Sequence, residues 1–138
     1  MNRKLFYILN LTWGLIMTLI GAVAALGLLV KGYRPTRHGE CLCFTVKLKK
    51  TWSGVSLGLV MIVTENATDA TKNHELGHTI QNAVYGPVHV LISMASGVRC
   101  LYRSTQDPGT LPPYDSIWFE GQATRWGEQY AKKWRNTA

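Results

Sequence analysis

From Leu5 to Val30 the chain runs for 26 residues without a formal charge, broken only by Asn10, Thr12, Thr18 and small residues. A helix needs about 20 apolar residues to cross a bilayer, so this run predicts an N-terminal transmembrane anchor. With its basic flanks (Arg3 and Lys4 before it; Lys31, Arg34 and Arg37 after it) the anchor occupies residues 1–34 and leaves 35–138 for a compact body. Ala22-Val23-Ala24 matches a signal-peptide cleavage pattern, but the apolar run exceeds the roughly 7–15 residues of a signal core and continues past that site. Beyond it, loose alternation over Gly39–Leu48 reads as a strand and Thr51–Gly54 as a turn. Val55–Thr64, rich in β-branched residues, reads as a second strand, giving a short antiparallel pair. Thr68 or Asp69 then caps a helix that runs to Tyr85 and stops at Gly86-Pro87. Val88–Tyr102 reads as a mostly apolar helix and Ser104–Tyr114, with Pro108-Gly109 and Pro112-Pro113, as a loop. A last helix is expected from about Asp115 to Trp134. The fold class is therefore α+β: an N-terminal transmembrane helix, a strand pair and three helices.

Composition narrows the class. Hydrophobic residues make up 46% and charged residues 17%, which excludes a disordered tail, a collagen-like repeat and a disulfide-dense scaffold. Three cysteines, Cys41, Cys43 and Cys100, form an odd set best read as reduced thiols. Fifteen Lys and Arg against eight Asp and Glu give a formal charge of +7. Much of that charge lies beside the anchor, so it points to membrane lipid headgroups, with no nucleic-acid partner expected. The excess of positive residues over 31–50 favours a single-pass membrane protein with its body in the cytoplasm.

Chemistry is concentrated in His74-Glu75-Leu76-Gly77-His78. Histidines at i and i+4 lie one turn apart on one helical face, so both imidazoles reach a single Zn²⁺. The intervening glutamate is rotated by about 100°, placed to take a proton from a zinc-bound water without being a ligand. Thr71, Gln81, Asn82 and Tyr85 share the histidine face, while Leu76, Ile80 and Ala83 form the opposite one.

Catalytic zinc usually takes three protein ligands. On the final helix Glu120 is a lone carboxylate in a stripe of Ile117, Ala123, Thr124, Gly127, Ala131 and Trp134. A buried carboxylate is costly unless paired or metal-bound, so Glu120 is the expected third ligand. Ala123 and Gly127 would let that helix approach another closely. Asp115 is the second choice and more readily an N-cap. A structural ion pair of Glu120 with Arg99 or Arg103 is the competing reading.

The HELGH pentapeptide with Trp118-Phe119-Glu120-Gly121-Gln122-Ala123 downstream resembles the gluzincin branch of zinc metallopeptidases. More closely, Gly54–Gly127 resembles a group of small, mostly uncharacterised bacterial membrane proteins. The landmarks are Ser56-Leu57-Gly58, His74 through Asn82, Tyr85-Gly86-Pro87 and Tyr114 through Thr124. The resemblance implies a minimal zincin-like site, with His74, His78 and Glu120 binding zinc and Glu75 as base. It also implies that the strand around Val55–Val63 is an edge on which an extended peptide pairs. The function expected is a membrane-anchored zinc-dependent hydrolase, a metallopeptidase with a peptide or protein substrate. Two alternatives stand beside it: a non-proteolytic zinc protein, structural or sensory, and an intramembrane peptidase of the site-two type. Against the last, the histidine helix is too polar for lipid. His89, Tyr85, Tyr114, Tyr130 and Arg99 remain open as stabilisers of a developing oxyanion. Substrate identity and oligomeric state are not legible in the sequence.

Overall fold

The computed structural model describes residues 1–47 and 53–136. Its helices are α1 (Arg3–Leu11), α2 (Leu15–Val30), α3 (Asp69–Tyr85), α4 (Val88–Ser104) and α5 (Trp118–Arg135). Its strands are β1 (Thr36–His38), β2 (Cys41–Val46), β3 (Gly54–Leu57) and β4 (Val60–Thr64). The mixed α+β class expected from the sequence holds.

The long apolar run is two helices, bent by 87° at the break between them. Its few polar residues explain the break. The Asn10 amide donates to the Phe6 carbonyl, and its Oδ1 accepts from Asn82 of α3 at 2.8 Å. Asn82 also donates to the Gly14 carbonyl at 3.0 Å. Thr18 Oγ1 lies 2.8 Å from the Asn10 carbonyl and 3.2 Å from that of Gly14. A continuing helix would leave these buried groups without partners. No single described helix is long and apolar enough to cross a membrane.

Val55–Thr64, expected as one strand, is a hairpin. It turns at Gly58, where φ is +60°, a left-handed conformation that glycine adopts without penalty. Instead of a lone antiparallel pair, the described strands form a four-stranded sheet in the order β1-β2-β4-β3. Here β2 and β4 run parallel, with Phe44 opposite Ile62, and the other neighbours are antiparallel. Parallel pairing requires a crossover, and β3 lies between β2 and β4 in the sequence. The expected turn over Thr51–Gly54 lies partly outside the described residues, and Gly54 opens β3.

Alternation along β2 and β4 divides the core between the two faces of the sheet. Cys41, Cys43, Met61 and Val63 point towards Leu76 and Ile80 of α3, with Phe6 of α1 and Ala131 and Trp134 of α5 completing that cluster. Phe44 and Val60 point the other way and meet Ala25 of α2. The N-terminal run is thus part of the fold: α2 covers one face of the sheet, and α1 is wedged beside α3.

As expected, α3 is capped by the Thr68 side chain and ends at Gly86. By contrast, α5 starts at Trp118, three residues later than expected, without a side-chain cap. Asp115 is not its N-cap but lies in a short 3-10 turn, Tyr114–Ser116. The 3-10 turn and α5 are separated by Ile117, whose backbone is extended.

Candidate metal centre

The crossing of α3 and α5 builds the site. A Cβ on Gly77 would stand 1.8 Å from the Ala123 carbonyl oxygen, and one on Gly127 would stand 1.7 Å from that of Asn73. Only glycine permits this approach, and it brings Glu120 over the two histidines. Glu120 Oε2 lies 3.0 Å from His74 Nε2 and 3.2 Å from His78 Nε2, and the two Nε2 atoms are 3.2 Å apart. His74, His78 and Glu120 form a group whose ligand atoms all lie within 4.8 Å of one another. The carboxylate of Glu120 is fully buried, and His78 nearly so.

Hydrogen bonds around this trio fix the imidazole tautomers. Both amide protons of Gln81 are committed, to the Phe119 carbonyl at 2.7 Å and to Gln122 Oε1 at 3.0 Å. Its Oε1 therefore accepts, and His78 Nδ1, 2.8 Å away, must carry the proton. The Thr124 hydroxyl donates to the Glu120 carbonyl at 3.2 Å, leaving its oxygen to accept from His74 Nδ1 at 2.9 Å. With Nδ1 protonated, each neutral ring presents a bare lone pair at Nε2. Ser96 of α4 donates to Glu120 Oε1, which leaves Oε2 facing the histidines. Two nitrogen lone pairs and a carboxylate oxygen thus converge in a buried space, an arrangement that could hold a cation. The residues fit a divalent metal.

Titration behaviour agrees. Burial alone would raise the carboxyl of Glu120, but the imidazoles of His74 and His78 beside it and the Ser96 hydroxyl hold it well below the usual carboxylate range. Burial opposes charge on His78, yet the hydrogen bond to Glu120 and the charges of Glu75 and Glu120 win and raise its pKa. Without a metal, a proton occupies the same electrostatic need.

Glu75 is buried outside this trio, against β3. Ser56 Oγ lies 2.8 Å from its Oε2 and 2.6 Å from its backbone carbonyl. Gly54 leaves it room, since a Cβ there would stand 2.8 Å from Oε1. It is therefore a separate carboxylate, held by the strand and close enough for its charge to act on His78.

Other expected residues are placed as follows. Asp115 is exposed and outside the cluster. Arg99 and Arg103 lie over the Tyr114 ring at 5.1 and 5.4 Å, whereas the carboxylate of Glu120 meets His74, His78 and Ser96. Tyr130 is remote, receiving a hydrogen bond from the Met1 amino group. Tyr85 donates to Gln122 Oε1 at 3.0 Å, which steadies the amide network behind His78. Tyr114 stands edge-on to His74, with ring centroids 6.0 Å apart. Burial and the Glu120 charge push its phenol up to about 12, so it stays a donor. His89 is 1% exposed, its ring 6.2 Å from that of His78, and its buried Nδ1 has no hydrogen-bond partner among the described residues. Burial, helped by His78, pulls it down to about 3, so it is neutral at physiological pH. Gln81 was legible only as part of a polar face, and Ser96, Thr124 and Gly54 carried no signal as supports of the trio. Their roles depend on which helix or strand lies opposite.

Comparisons with protein-family models, with curated proteins and with solved structures returned no match.

Proposed function

We propose that the protein is a zinc-dependent hydrolase, most simply a metallopeptidase, with a minimal zincin-like centre. His74, His78 and Glu120 hold the metal, and Glu75 is the general base. The observation that carries this reading is the pairing of two features. Three lone-pair donors converge with their tautomers fixed by Gln81 and Thr124, and a second buried carboxylate stands nearby without joining them. A purely structural site has no use for that additional carboxylate. Two imidazoles and one carboxylate suit zinc among the common divalent ions, and bound zinc supplies Lewis-acid polarisation and acidifies water.

Within that chemistry, Glu75 accepts the proton of the attacking water and returns it to the leaving amine, while Ser56 and the space over Gly54 hold its carboxylate. Tyr114, protonated and partly exposed beside His74, is the donor best placed to meet a developing oxyanion. The terminal place of β3 in the sheet order supports an extended peptide as substrate, because backbone pairing would lay it beside Glu75.

The test is zinc stoichiometry together with cleavage of a peptide library by wild type and Glu75→Gln. Zinc is expected at one per chain in both proteins, with turnover at least about 100-fold lower in the variant, the usual scale for loss of a general base. Stoichiometric zinc with no cleavage by wild type would favour a structural or sensory centre. Chains that bind no zinc at all would remove the proposal.

A further inference from the structure

An ordinary surface helix turns its apolar side inward and its polar side to water. In α4 this is reversed. His89, Ser96 and Arg99 lie on the side of the metal centre and Tyr114. Every exposed residue from Val88 to Tyr102 is apolar or glycine, with Leu91 at 66%, Val98 at 69% and Leu101 at 69% exposure. In α2 the pattern is similar. One side, at Met17, Gly21 and Ala25, is buried against the domain, while its exposed residues, among them Leu19, Val23 and Leu26, are all apolar or glycine. The two helices touch, so their outward faces adjoin. An apolar surface on this scale marks an interaction site.

Charge identifies the occupant. No acidic side chain occurs in residues 1–39 or 76–106, the segments that contain both helices, whereas Lys4, Lys31, Arg34, Arg99 and Arg103 do; Arg3 and Arg37, also there, are paired with Glu40. Lys31 and Arg34 are exposed immediately after α2. Trp13 at the α1–α2 bend and Tyr102 near the end of α4 are also exposed, at 53% and 60%; such residues settle at headgroup depth. An apolar face with basic and aromatic borders is complementary to an anionic lipid leaflet. Neither helix is built to cross it. The 16 residues of α2 span about 24 Å against a hydrocarbon core of about 30 Å.

We propose that α2 and α4 form one lipid-facing seat, which half-embeds the protein in an anionic leaflet and sets α4 between the lipid and the metal centre. This seat replaces a single-pass anchor and does not depend on hydrolase activity.

The experiment uses the full chain reconstituted into vesicles of phosphatidylcholine with phosphatidylglycerol. Cysteines placed one at a time at Val23, Val98 and Asp107, in a Cys100→Ser background where the remaining Cys41 and Cys43 are buried, carry an environment-sensitive fluorophore. The seat requires blue-shifted emission from 23 and 98, quenched by acyl-chain-brominated lipid, and aqueous emission from 107. Lipid contact at 23 alone would mean an ordinary helical anchor and overturn the proposal. So would shielding of both positions without vesicles in a particle of twice the mass, which would assign the face to a second copy. Labelling from opposite sides of the vesicle at Asn2→Cys and Asp107→Cys would likewise overturn it. As a check on folding, the exposed-face double variant Leu91→Glu/Val98→Glu should keep wild-type zinc binding and lose most vesicle binding.

Discussion

At the scale of single residues, His89 and Gly54 separate stability from function. A buried imidazole with an unpartnered Nδ1 costs about 1–3 kcal/mol of desolvation, and an aromatic ring of similar size would remove that cost. His89→Phe is therefore expected to leave the unfolding free energy unchanged or raise it by up to about 2 kcal/mol. A large drop in stability would instead make His89 a structural residue. Gly54→Ala acts on Glu75, whose carboxylate would have to move because a Cβ at residue 54 falls 2.8 Å from Oε1 and 2.9 Å from Cγ. The displaced atoms belong to a side chain, so the fold should survive within about 1 kcal/mol. Zinc should still bind, and turnover should fall about 10-fold or more, since small misplacements of a catalytic group are costly. Wild-type turnover in Gly54→Ala would show that the position of Glu75 is not critical.

Among the elements, the α3–α5 crossing governs the site because it supplies all three members of the metal cluster. Gly127→Ala puts a methyl into the Asn73 carbonyl, a backbone group that cannot step aside, so the helices must separate. Overpacking of this kind typically costs about 1–3 kcal/mol, and the separation would also lift Glu120 from the histidines. Gly127→Ala should therefore lower both thermal stability and zinc affinity, whereas Gly97→Ala, which meets nothing within 4 Å, should change neither. Measuring both variants by calorimetry distinguishes a specific contact from loss of flexibility. The crossing was partly legible in the sequence. The i, i+4 histidines and the lone Glu120 in a stripe of small residues are local patterns, and Ala123 and Gly127 signalled a close approach. The partners that complete the site were not, because Gln81–Phe119, His74–Thr124 and Ser96–Glu120 join different elements. The N-terminal run, read as one helix, is two for the same reason. Its break depends on Asn82, 72 residues away from Asn10, and composition alone cannot distinguish such a polar clasp from an incidental asparagine in an anchor.

For the whole molecule, a metal held by His74, His78 and Glu120 would compete with a proton for one buried site, so above neutrality stability should depend on pH in opposite ways with and without zinc. In the metal-free chain His78 has a raised pKa, because Glu120 and Glu75 outweigh the burial that would lower it. A group raised above its unfolded value near 6.5 contributes stability that is complete below that value and is lost as pH rises through the folded pKa. Glu120, held low, contributes above the unfolded carboxylate range and loses that contribution only in strong acid. His89, pulled down to about 3 by burial, works the other way and removes stability as pH falls below the unfolded histidine value. The metal-free protein should thus be most stable near neutrality and weaken above it. Zinc binds the unprotonated ligands, so its affinity rises as pH increases, and it stabilises by about 2.7 kcal/mol at 100 times its dissociation constant. The gap between zinc-loaded and chelator-treated unfolding midpoints should therefore widen from pH 6 to pH 8, and Glu120→Gln should greatly reduce it. Since α3 supplies the histidines, α5 the carboxylate and α4 the Ser96 hydroxyl that orients it, loss of the cation should be felt across all three helices. Hydrogen exchange should register this as joint deprotection of α3, α4 and α5 after chelation. Deprotection confined to α3 would mean that the cluster does not bind the helices together.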